Sequence, residues 1–238
     1  GYRVKGIILA GGSGTRLHPM TLVTSKQLMP IYDKPMIYYP LSTLMLAGIR
    51  EVLIISTPRD TPSFQALLGD GSKWGVCVSY SREDVALGTA GAVKQAGCFV
   101  GSGAFVVLNG DTFIGMDLDR LHQFQVSSSA AITLAVIRVP DRSRFGAVTI
   151  DERGSVGTFG EKGLQGAGLI SAGAYIFDPA VLPAIPAGRA VSLETEVFPR
   201  LVDNGLFAFE VSGPFLDIGT PETLLHASEF LATWDRNS

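Results

Sequence analysis

Three glycines and an arginine directly follow a short apolar segment near the start of the chain. The run Gly11-Gly12-Ser13-Gly14-Thr15-Arg16 comes after Val4–Leu9, which is apolar apart from one lysine. Glycine backbone can bring several N–H groups against phosphate oxygens because no Cβ stands in the way. The arginine adds a planar, permanently charged group that can bind phosphate through two hydrogen bonds. The segment indicates a phosphate-binding loop, and its composition by itself also fits an ordinary glycine turn after a strand.

The glycine spacing excludes two common nucleotide-binding loops. The glycines fall as GGxG and not as the GxGxxG of dinucleotide-binding folds, and no Gly-Lys-Ser/Thr sequence follows as in a Walker A loop. Ten residues beyond Arg16 lies Lys26, followed by Gln27 and Leu28. A lysine just past a phosphate loop can place a compact positive charge on a leaving pyrophosphate, although a lysine by itself is more typical of a solvated surface.

Two aspartates could hold a metal ion beside such a loop. Asp111 follows the apolar segment Phe105–Leu108, and Asp217 interrupts the apolar segment Phe215–Ile218. A carboxylate at the carboxyl end of a buried strand can hold Mg²⁺ against phosphates, whereas an aspartate after Asn-Gly also suits a plain turn. Burying the Asp217 carboxylate without a partner would be unfavourable, and shared coordination of one Mg²⁺ with Asp111 would remove that cost.

The elements that must position these residues alternate between strands and helices up to about residue 130. Such a rhythm predicts an α/β fold with a Rossmann-like, mostly parallel sheet flanked by helices. The predicted strands are Val4–Leu9, Val52–Ser56, Val76–Tyr80 and Phe105–Leu108. The predicted helices are Leu41–Ala47, a helix that includes Phe64–Leu68, Thr89–Ala96 with Thr89 as its cap, and Leu118–Val126.

After about residue 130 short strands follow one another through glycine-rich turns, which predicts a small antiparallel part. The predicted strands are Ile132–Val139, Ala147–Ile150, Val156–Phe159, Leu169–Phe177, Ala208–Val211 and Phe215–Ile218. A hairpin turn is expected at 151–154, and a closing helix at Glu222–Trp234. Because no linker or repeat separates the halves, we expect one domain over residues 1–238, with residues 1–130 binding the nucleotide and 131–238 the sugar phosphate.

Composition excludes several other classes of protein. Of the 238 residues, 46% are hydrophobic and 17% charged, which excludes a disordered chain. The net charge of -3 argues against a nucleic-acid partner, and no apolar run is long enough to predict a membrane span. Cys77 and Cys98 are expected to be small buried hydrophobes, because two cysteines make no disulfide framework. With no signal peptide evident, a cytoplasmic location is expected.

Taken together, the glycine loop and the lysine resemble the sugar-1-phosphate nucleotidyltransferases. That family shows a strand, then GGxGTRLxP, then a Lys-Pro or Lys-Gln-Leu segment, and here Pro19 and Lys26-Gln27-Leu28 complete the match. The resemblance covers nearly the whole chain and implies the nucleotide-diphospho-sugar transferase fold. It also implies the reaction, in which a sugar phosphate oxygen attacks the α-phosphate of a nucleoside triphosphate and pyrophosphate leaves. Mg²⁺ is the implied cofactor.

The resemblance assigns a role to each matching residue. Catalysis is expected of Arg16, Lys26 and Asp111, and metal binding of Asp111 and Asp217. The expected nucleotide-binding residues are Leu9, Ala10, Gly11, Gly12, Ser13, Gly14, Thr15, Glu83, Gly88 and Thr89. The expected sugar-phosphate-binding residues are Asn109, Gly146, Glu161, Lys162, Ala172, Gly173 and Glu194.

Two details of that assignment depart from the family or stay open. The Glu161-Lys162 pair, in which the glutamate takes sugar hydroxyls and the lysine the phosphate, is usually followed by proline. Here Gly163 follows it, so a different loop geometry is expected. Glu194 could bind sugar hydroxyls or cap a helix that begins near Leu193.

The two parts of the chain resemble different subfamilies. The first 75 or so residues resemble glucose-1-phosphate thymidylyltransferases, and the remainder resembles short guanylyltransferases for heptose or mannose 1-phosphate. The position that carries a thymine-reading glutamine in the former is Glu83 here. A carboxylate only accepts hydrogen bonds, which suits the two adjacent N–H donors of guanine, so Glu83 favours GTP unless it points into solvent. Short muramate-1-phosphate uridylyltransferases also carry a glutamate in this region.

The expected substrates are therefore GTP with D-glycero-D-manno-heptose 1-phosphate, followed by mannose 1-phosphate and then glucose 1-phosphate with dTTP. A C-terminal helical extension like the one that carries the regulatory site of the longer thymidylyltransferases is not expected here, and neither is that feedback control. The oligomeric state stays open, with a homodimer as one form. The expected partners are small molecules, with neither nucleic acid nor membrane.

Two other classes fit less well. A catalytically inactive, nucleotidyltransferase-like regulatory module would have lost Arg16, Lys26, Asp111 or Asp217, and all four are present. A nicotinamide oxidoreductase would have GxGxxG and an acidic residue about 20 positions later. Binding of NAD(H), binding of a triphosphate without turnover, and release of pyrophosphate distinguish the three classes.

Replacing either cation of the predicted catalytic pair tests the resemblance directly. Arg16→Ala or Lys26→Ala is expected to slow pyrophosphate release by about 100-fold or more, because each removes a charge that stabilises the transition state. The fold is expected to stay intact, as circular dichroism would show. Wild-type turnover in Arg16→Ala would refute the role of that residue.

Overall fold

Parallel strands with helices between them form the first part of the chain. A computed structural model describes residues 4–11, 30–31, 34–35, 37–110 and 117–211. The strands before residue 110 are β1 (Lys5–Leu9), β2 (Pro30–Ile31), β3 (Lys34–Pro35), β4 (Glu51–Ser56), β5 (Cys77–Arg82) and β6 (Phe105–Asn109). The helices are α1 (Tyr38–Leu46), α2 (Thr61–Leu68), α3 (Gly88–Gln95) and α4 (Gly97–Val100), with a 3₁₀ turn at Ser72–Trp74.

The rest of the described chain is richer in strands. It contains α5 (Leu118–Ser128), β7 (Ile132–Val139), β8 (Ala147–Ile150), β9 (Val156–Glu161), β10 (Gly168–Phe177), α6 (Phe198–Leu201) and β11 (Leu206–Glu210). A 3₁₀ helix spans Pro179–Ala184, and a π-helical turn at Leu193–Val197 leads into α6. Asp117 begins α5 as its N-cap, because its carboxylate accepts a hydrogen bond from the Arg120 N–H at 3.2 Å.

The chain divides into two compact units, each made of separate stretches of sequence. Among the described residues, the first unit holds those up to residue 86 and residues 107–110. Its strand order is β6-β1-β4-β5, in which β1 pairs in parallel with β4, and β4 in parallel with β5. From β1 the chain moves outward to β4 and β5, and then returns to place β6 on the other side of β1. This reversal of direction is the feature next to which open α/β sheets bind ligands.

The second unit holds residues 87–106 and, of the later residues, 117–211. Its strand order is β11-β7-β10, and β8 joins β10 to β9. Strands β7, β10, β8 and β9 pair in antiparallel fashion, whereas β11 runs parallel to β7. The α/β fold class and the antiparallel part predicted from the sequence are both confirmed by this arrangement.

Each unit has an apolar core of its own. In the first unit Ile7, Ile8, Leu44, Ile54 and Phe64 are fully buried. Helix α1 lies so close to β1 that a Cβ on Gly6 would be 2.8 Å from a methyl carbon of Leu44, so glycine there permits the close packing.

Aromatic rings fill the core of the second unit. The ring centroids of Phe105 and Phe177 are 5.3 Å apart, and those of Tyr175 and Phe198 are 5.0 Å apart. Tilted ring pairs at these separations add to the stability that their burial provides.

Most elements predicted from the sequence form within two or three residues of the expected bounds, including the turn at 151–154, which joins β8 to β9. Helix α1 begins three residues earlier than predicted and includes Pro40. A proline is tolerated in the first turn because the N–H that it lacks would have no partner within the helix. The strand predicted at Phe215–Ile218 and the helix predicted at Glu222–Trp234 lie outside the described residues.

Two predictions about side chains were wrong. Cys77 and Cys98 are both exposed, not buried. Cys77 opens β5, whose first residues alternate between exposed and buried, and its position puts the thiol on the solvent face although both sequence neighbours are apolar. Thr89 does not cap α3, since the helix begins at Gly88 and its capping position has no side-chain hydrogen bond.

No helix among the residues that the structure describes is both long enough and apolar enough to cross a membrane.

Candidate active site

The carboxyl ends of β1, β5 and β6 bring together four residues of the predicted nucleotide site, namely Leu9, Ala10, Gly11 and Glu83. Ala10 N–H donates to the carbonyl of Ile55 at 2.8 Å on one side of β1, and Gly110 N–H donates to the carbonyl of Leu9 at 2.9 Å on the other. Backbone hydrogen bonds to both neighbouring strands therefore hold the residues that lead into the glycine-rich loop. Asn109, the last residue of β6, is half-buried at the same edge.

Glu83 lies directly against the first glycine of that loop. Its backbone N–H donates to the carbonyl of Ser56 at 3.0 Å, which extends the β4–β5 ladder by one residue. Its Oε2 is 3.4 Å from the position that a Cβ on Gly11 would occupy. The carboxylate therefore faces Gly11 across a narrow gap, and the side chain is half-buried and not fully in solvent.

Burial raises the pKa of the Glu83 carboxyl, because partial removal from water disfavours the charged form. A carboxyl whose pKa is raised in the folded state contributes stability that is fully present below its unfolded pKa and is lost as pH rises through its folded pKa. At neutral pH the ionised Glu83 is therefore unfavourable for folding.

Gly88, Thr89 and Glu194, predicted for different ligands, lie together in the second unit. Thr89 Oγ1 accepts a hydrogen bond from the Leu193 N–H at 2.8 Å and donates to Glu194 Oε2 at 3.3 Å. Ser192 Oγ also donates to Glu194 Oε2, at 3.2 Å. The Glu194 carboxylate is thus held by two hydroxyls.

The cap of the π-helical turn is Ser192 and not Glu194. Ser192 Oγ accepts from the Thr195 N–H at 3.2 Å, as an N-cap side chain does. Of the two roles open to Glu194, capping is therefore excluded. Binding of sugar hydroxyls stays a prediction.

Gly88 is required by the backbone that surrounds it. Its φ of +71° favours glycine, and a Cβ there would lie 2.5 Å from the carbonyl oxygen of Val191. Ala90 N–H donates to the same carbonyl at 2.9 Å, so the start of α3 is bound to the chain at residue 191. This packing explains the glycine before any ligand is considered.

The predicted sugar-phosphate residues of the antiparallel part lie at two irregularities in the strands. Gly160, at φ +83°, is the extra residue of a bulge, because Ala147 pairs with Glu161 and Val148 with Phe159. A Cβ on Gly146 would be 3.0 Å from the Gly160 Cα, so these backbones touch. Glu161 and Lys162 leave this bulge with exposed side chains.

Ala172 and Gly173 lie at the second irregularity. The pairing of β10 with β7 shifts between Ser171 and Tyr175, and Gly173 has a φ of +79°. Bulges of this kind redirect side chains and are common beside active sites.

The remaining predicted residues lie outside the described part of the chain, so the structure does not test them. They are Gly12, Ser13, Gly14, Thr15, Arg16, Lys26, Asp111 and Asp217. Among the described residues, no group of three or more His, Cys, Asp or Glu side chains could hold a metal ion.

Sequence reasoning missed Arg142, whose guanidinium hydrogen-bonds to the loop that follows Glu161-Lys162. Asp141 and Ser143 could have drawn attention to this region, because Asp and Ser two residues apart are typical of a turn that their side chains stabilise.

Comparison with known proteins identifies the family of the chain. Residues 5–233 match the family described as Nucleotidyl transferase. A glucose-1-phosphate thymidylyltransferase of Mycolicibacterium smegmatis is 40% identical over 240 residues, covering 97% of this chain and 83% of that protein. A mannose-1-phosphate guanylyltransferase of Mycobacterium tuberculosis is 37% identical over 231 residues, covering 95% of this chain and 64% of that protein.

Solved structures show the same fold. The crystal structure of HddC from Yersinia pseudotuberculosis superposes with a TM-score of 0.79 at 29% identity, covering 95% of this chain and 98% of that one. The same protein complexed with GMP-PN gives a TM-score of 0.76. The chain therefore belongs to the nucleotidyl transferase family, and within it to the sugar-1-phosphate nucleotidyltransferases.

Replacement of Gly88 tests whether its backbone packing is required. Gly88→Ala is expected to lower the free energy of unfolding by about 2 kcal/mol more than Gly188→Ala, as measured by urea denaturation. Both glycines have positive φ, but a Cβ at Gly188 has nothing within 4 Å, so the difference isolates the clash with Val191. Equal losses in the two variants would show that the chain around Val191 moves aside without penalty.

Proposed function

We propose that this enzyme transfers a guanylyl group from GTP to a sugar 1-phosphate, with D-glycero-D-manno-heptose 1-phosphate as the preferred acceptor and mannose 1-phosphate as the next. The observation that carries the choice of base is the Glu83 carboxylate against Gly11, at the edge where the parallel strands end. An ionised carboxylate can accept from both N1–H and the 2-amino group of guanine, and it has no donor for a thymine carbonyl.

Further support for GTP comes from named relatives. HddC, with a TM-score of 0.79, has been solved with the guanine nucleotide analogue GMP-PN, and one curated relative is a mannose-1-phosphate guanylyltransferase. The choice of a heptose rests on the likeness of the later two thirds of the chain to short guanylyltransferases, and on the match with HddC.

A second candidate is transfer of a thymidylyl group from dTTP to glucose 1-phosphate. Seven of the curated relatives described by name are glucose-1-phosphate thymidylyltransferases, at 36% to 41% identity. In this reading a protonated Glu83 supplies both a donor and an acceptor, as the glutamine of those enzymes does.

The proposed reaction needs no covalent intermediate on the protein. The sugar phosphate oxygen attacks the α-phosphate in line, and the protein aligns two anions that repel each other. The amides of residues 11–15 and the side chains of Arg16 and Lys26 would stabilise charge on the α-phosphate and on the departing pyrophosphate.

The residues proposed for Mg²⁺ fit a hard cation, because both are carboxylates. Gly110 is bonded to the end of β1, so the chain that leads to Asp111 starts beside the proposed phosphate loop. Asp111 and Asp217 would hold the ion, which when bound neutralises charge on the triphosphate and aligns it.

Pyrophosphate release over a grid of substrates tests the proposal. With Mg²⁺ present, GTP, dTTP, UTP and ATP would each be paired with α- and β-heptose, mannose, glucose and muramate 1-phosphates. A preference for GTP with a heptose or mannose phosphate is the expected result. A preference for dTTP or UTP with glucose 1-phosphate would overturn the assignment of both substrates.

Exchange of the Glu83 carboxylate for an amide is expected to change the base that the enzyme prefers. Glu83→Gln should lower kcat/KM for GTP by roughly tenfold to 100-fold and raise it for dTTP, since a charged hydrogen bond to guanine is replaced and a donor for thymine appears. Its unfolding free energy at neutral pH should not fall, because the variant buries no charge. Unchanged base preference in a folded variant would exclude base reading by Glu83.

Lowering the pH should also shift the base preference of the wild-type enzyme from GTP towards dTTP. The raised pKa of Glu83 means that protonation begins at a higher pH than for an ordinary glutamate. The ratio of dTTP to GTP activity is therefore expected to increase as pH falls through this pKa, and to stay flat in Glu83→Gln. A parallel change in both proteins would place the titrating group elsewhere.

A further inference from the structure

The loop that carries Glu161 and Lys162 is rich in glycine and needs something to hold its shape. Gly160, Gly163 and Gly166 all have φ between +81° and +83°, and a Cβ at any of the three positions would meet nothing within 4 Å. These glycines are therefore required by the backbone conformation and not by crowding. Glycine loses more conformational freedom on ordering than other residues, so such a loop is ordered only if other groups bind it.

Proline cannot supply that order here. The ring of proline holds φ near −65°, whereas Gly163 has a φ of +81°. The family usually has a proline directly after the Glu-Lys pair. In this chain the loop adopts a conformation that a proline at residue 163 could not join.

The guanidinium of Arg142 binds two consecutive carbonyls of the same loop. Its Nη2 donates to the Gln165 carbonyl at 3.0 Å, and its Nε donates to the Gly166 carbonyl at 3.3 Å. The Arg142 backbone N–H donates to the Gly166 carbonyl as well, at 3.0 Å. Three hydrogen bonds from one residue thus fix the far end of the loop.

A glycine at residue 168 makes room for this side chain. A Cβ on Gly168 would lie 2.4 Å from Arg142 Cδ, 2.7 Å from Nε and 2.9 Å from Cζ. The Arg142 side chain therefore passes close over Gly168, the first residue of β10. No other side chain at residue 168 would leave Arg142 in this position.

The turn that bears Arg142 is itself held in place. The Asp141 carboxylate accepts from the Ser143 N–H at 3.0 Å and from the Ser143 hydroxyl at 2.9 Å, and Phe145 N–H donates to the Arg142 carbonyl at 2.9 Å. These hydrogen bonds to the carboxylate also lower the pKa of Asp141. Arg142 thus projects from a turn with a defined shape.

We propose that Arg142 is a positioning residue for sugar-phosphate binding, which holds the loop 162–168 so that Glu161 and Lys162 are presented in one arrangement. The proposal rests on the proposed function in one respect, namely that this pair binds the sugar phosphate. Arg142 itself touches only protein carbonyls.

Steady-state kinetics separates this role from a general effect on folding. Arg142→Ala is expected to raise KM for the sugar 1-phosphate by about tenfold, because two side-chain hydrogen bonds from a charged donor are lost, while KM for the triphosphate stays within about twofold. The substrates are the pair that gives the fastest pyrophosphate release in the grid above. Arg142→Lys, which keeps the charge but not the two-pronged geometry, should show a smaller increase of the same kind.

The matched control is Arg153→Ala, which removes an exposed arginine from the β8–β9 turn of the same unit. Its kinetic constants are expected to equal those of the wild-type enzyme. Gly168→Ala, which displaces the Arg142 side chain without changing it, should reproduce the selective rise in KM. Equal rises in both KM values for Arg142→Ala, or none in either, would overturn the proposal.

A second measurement does not depend on activity. Lys162 is exposed, so endoproteinase Lys-C can report on how firmly its loop is held. Cleavage after Lys162, followed by intact mass, is expected to be several-fold faster in Arg142→Ala than in the wild-type or Arg153→Ala proteins. Unchanged cleavage would show that Arg142 does not order the loop. A wild-type protein that releases no pyrophosphate would refute the proposed function, and the cleavage rates would still decide whether Arg142 holds the loop.

Discussion

The hydrogen bonds on both sides of β1 are the constraint on which the described nucleotide site depends. Leu9 and Ala10 are bound to the ends of β6 and β4, so the chain leaves the sheet at one defined place and direction. Glu83 reaches the same edge because β5 continues its ladder with β4 to the last residue. If this edge frayed, Gly11 and the Glu83 carboxylate would lose their contact, and with it the proposed reading of the base.

Several glycines of the chain are required by packing against other parts of the protein, independently of any ligand. Gly88 meets the backbone at Val191, Gly146 meets Gly160, and Gly168 meets Arg142. From the sequence, Gly88 and Gly146 were expected to approach the nucleotide and the sugar. The structure supplies a packing reason for each that requires no substrate. Backbone segments that pack closely against each other are rigid, and a rigid backbone positions a ligand well. A glycine at these positions can therefore serve both packing and binding.

Much of the fold followed from local patterns. Apolar segments such as Val52–Ser56 are buried on both faces and became strands of the sheet, and the turn at 151–154 joined the hairpin as expected. The two wrong predictions about side chains were made from the residue types of the immediate sequence neighbours. Cys77 has apolar neighbours but starts an edge strand, and Thr89 sits where a cap would be useful but instead binds residues 193 and 194, over a hundred positions away. Rules that consider only neighbouring residues cannot predict a hydrogen-bond partner so far away along the chain.

The sequence by itself determined the family, the α/β class and the residue types of the site. These follow from motifs and from hydrophobic periodicity, which are properties of short continuous segments of the chain. Tertiary structure decided that Glu83 faces the glycine loop with a raised pKa, that Thr89 and Ser192 hold Glu194, and that Arg142 holds the Glu161-Lys162 loop. Each of these joins side chains and backbone that are distant along the chain. Their meeting is set by strand order and register, which arise from packing of the whole unit and not from any segment of it.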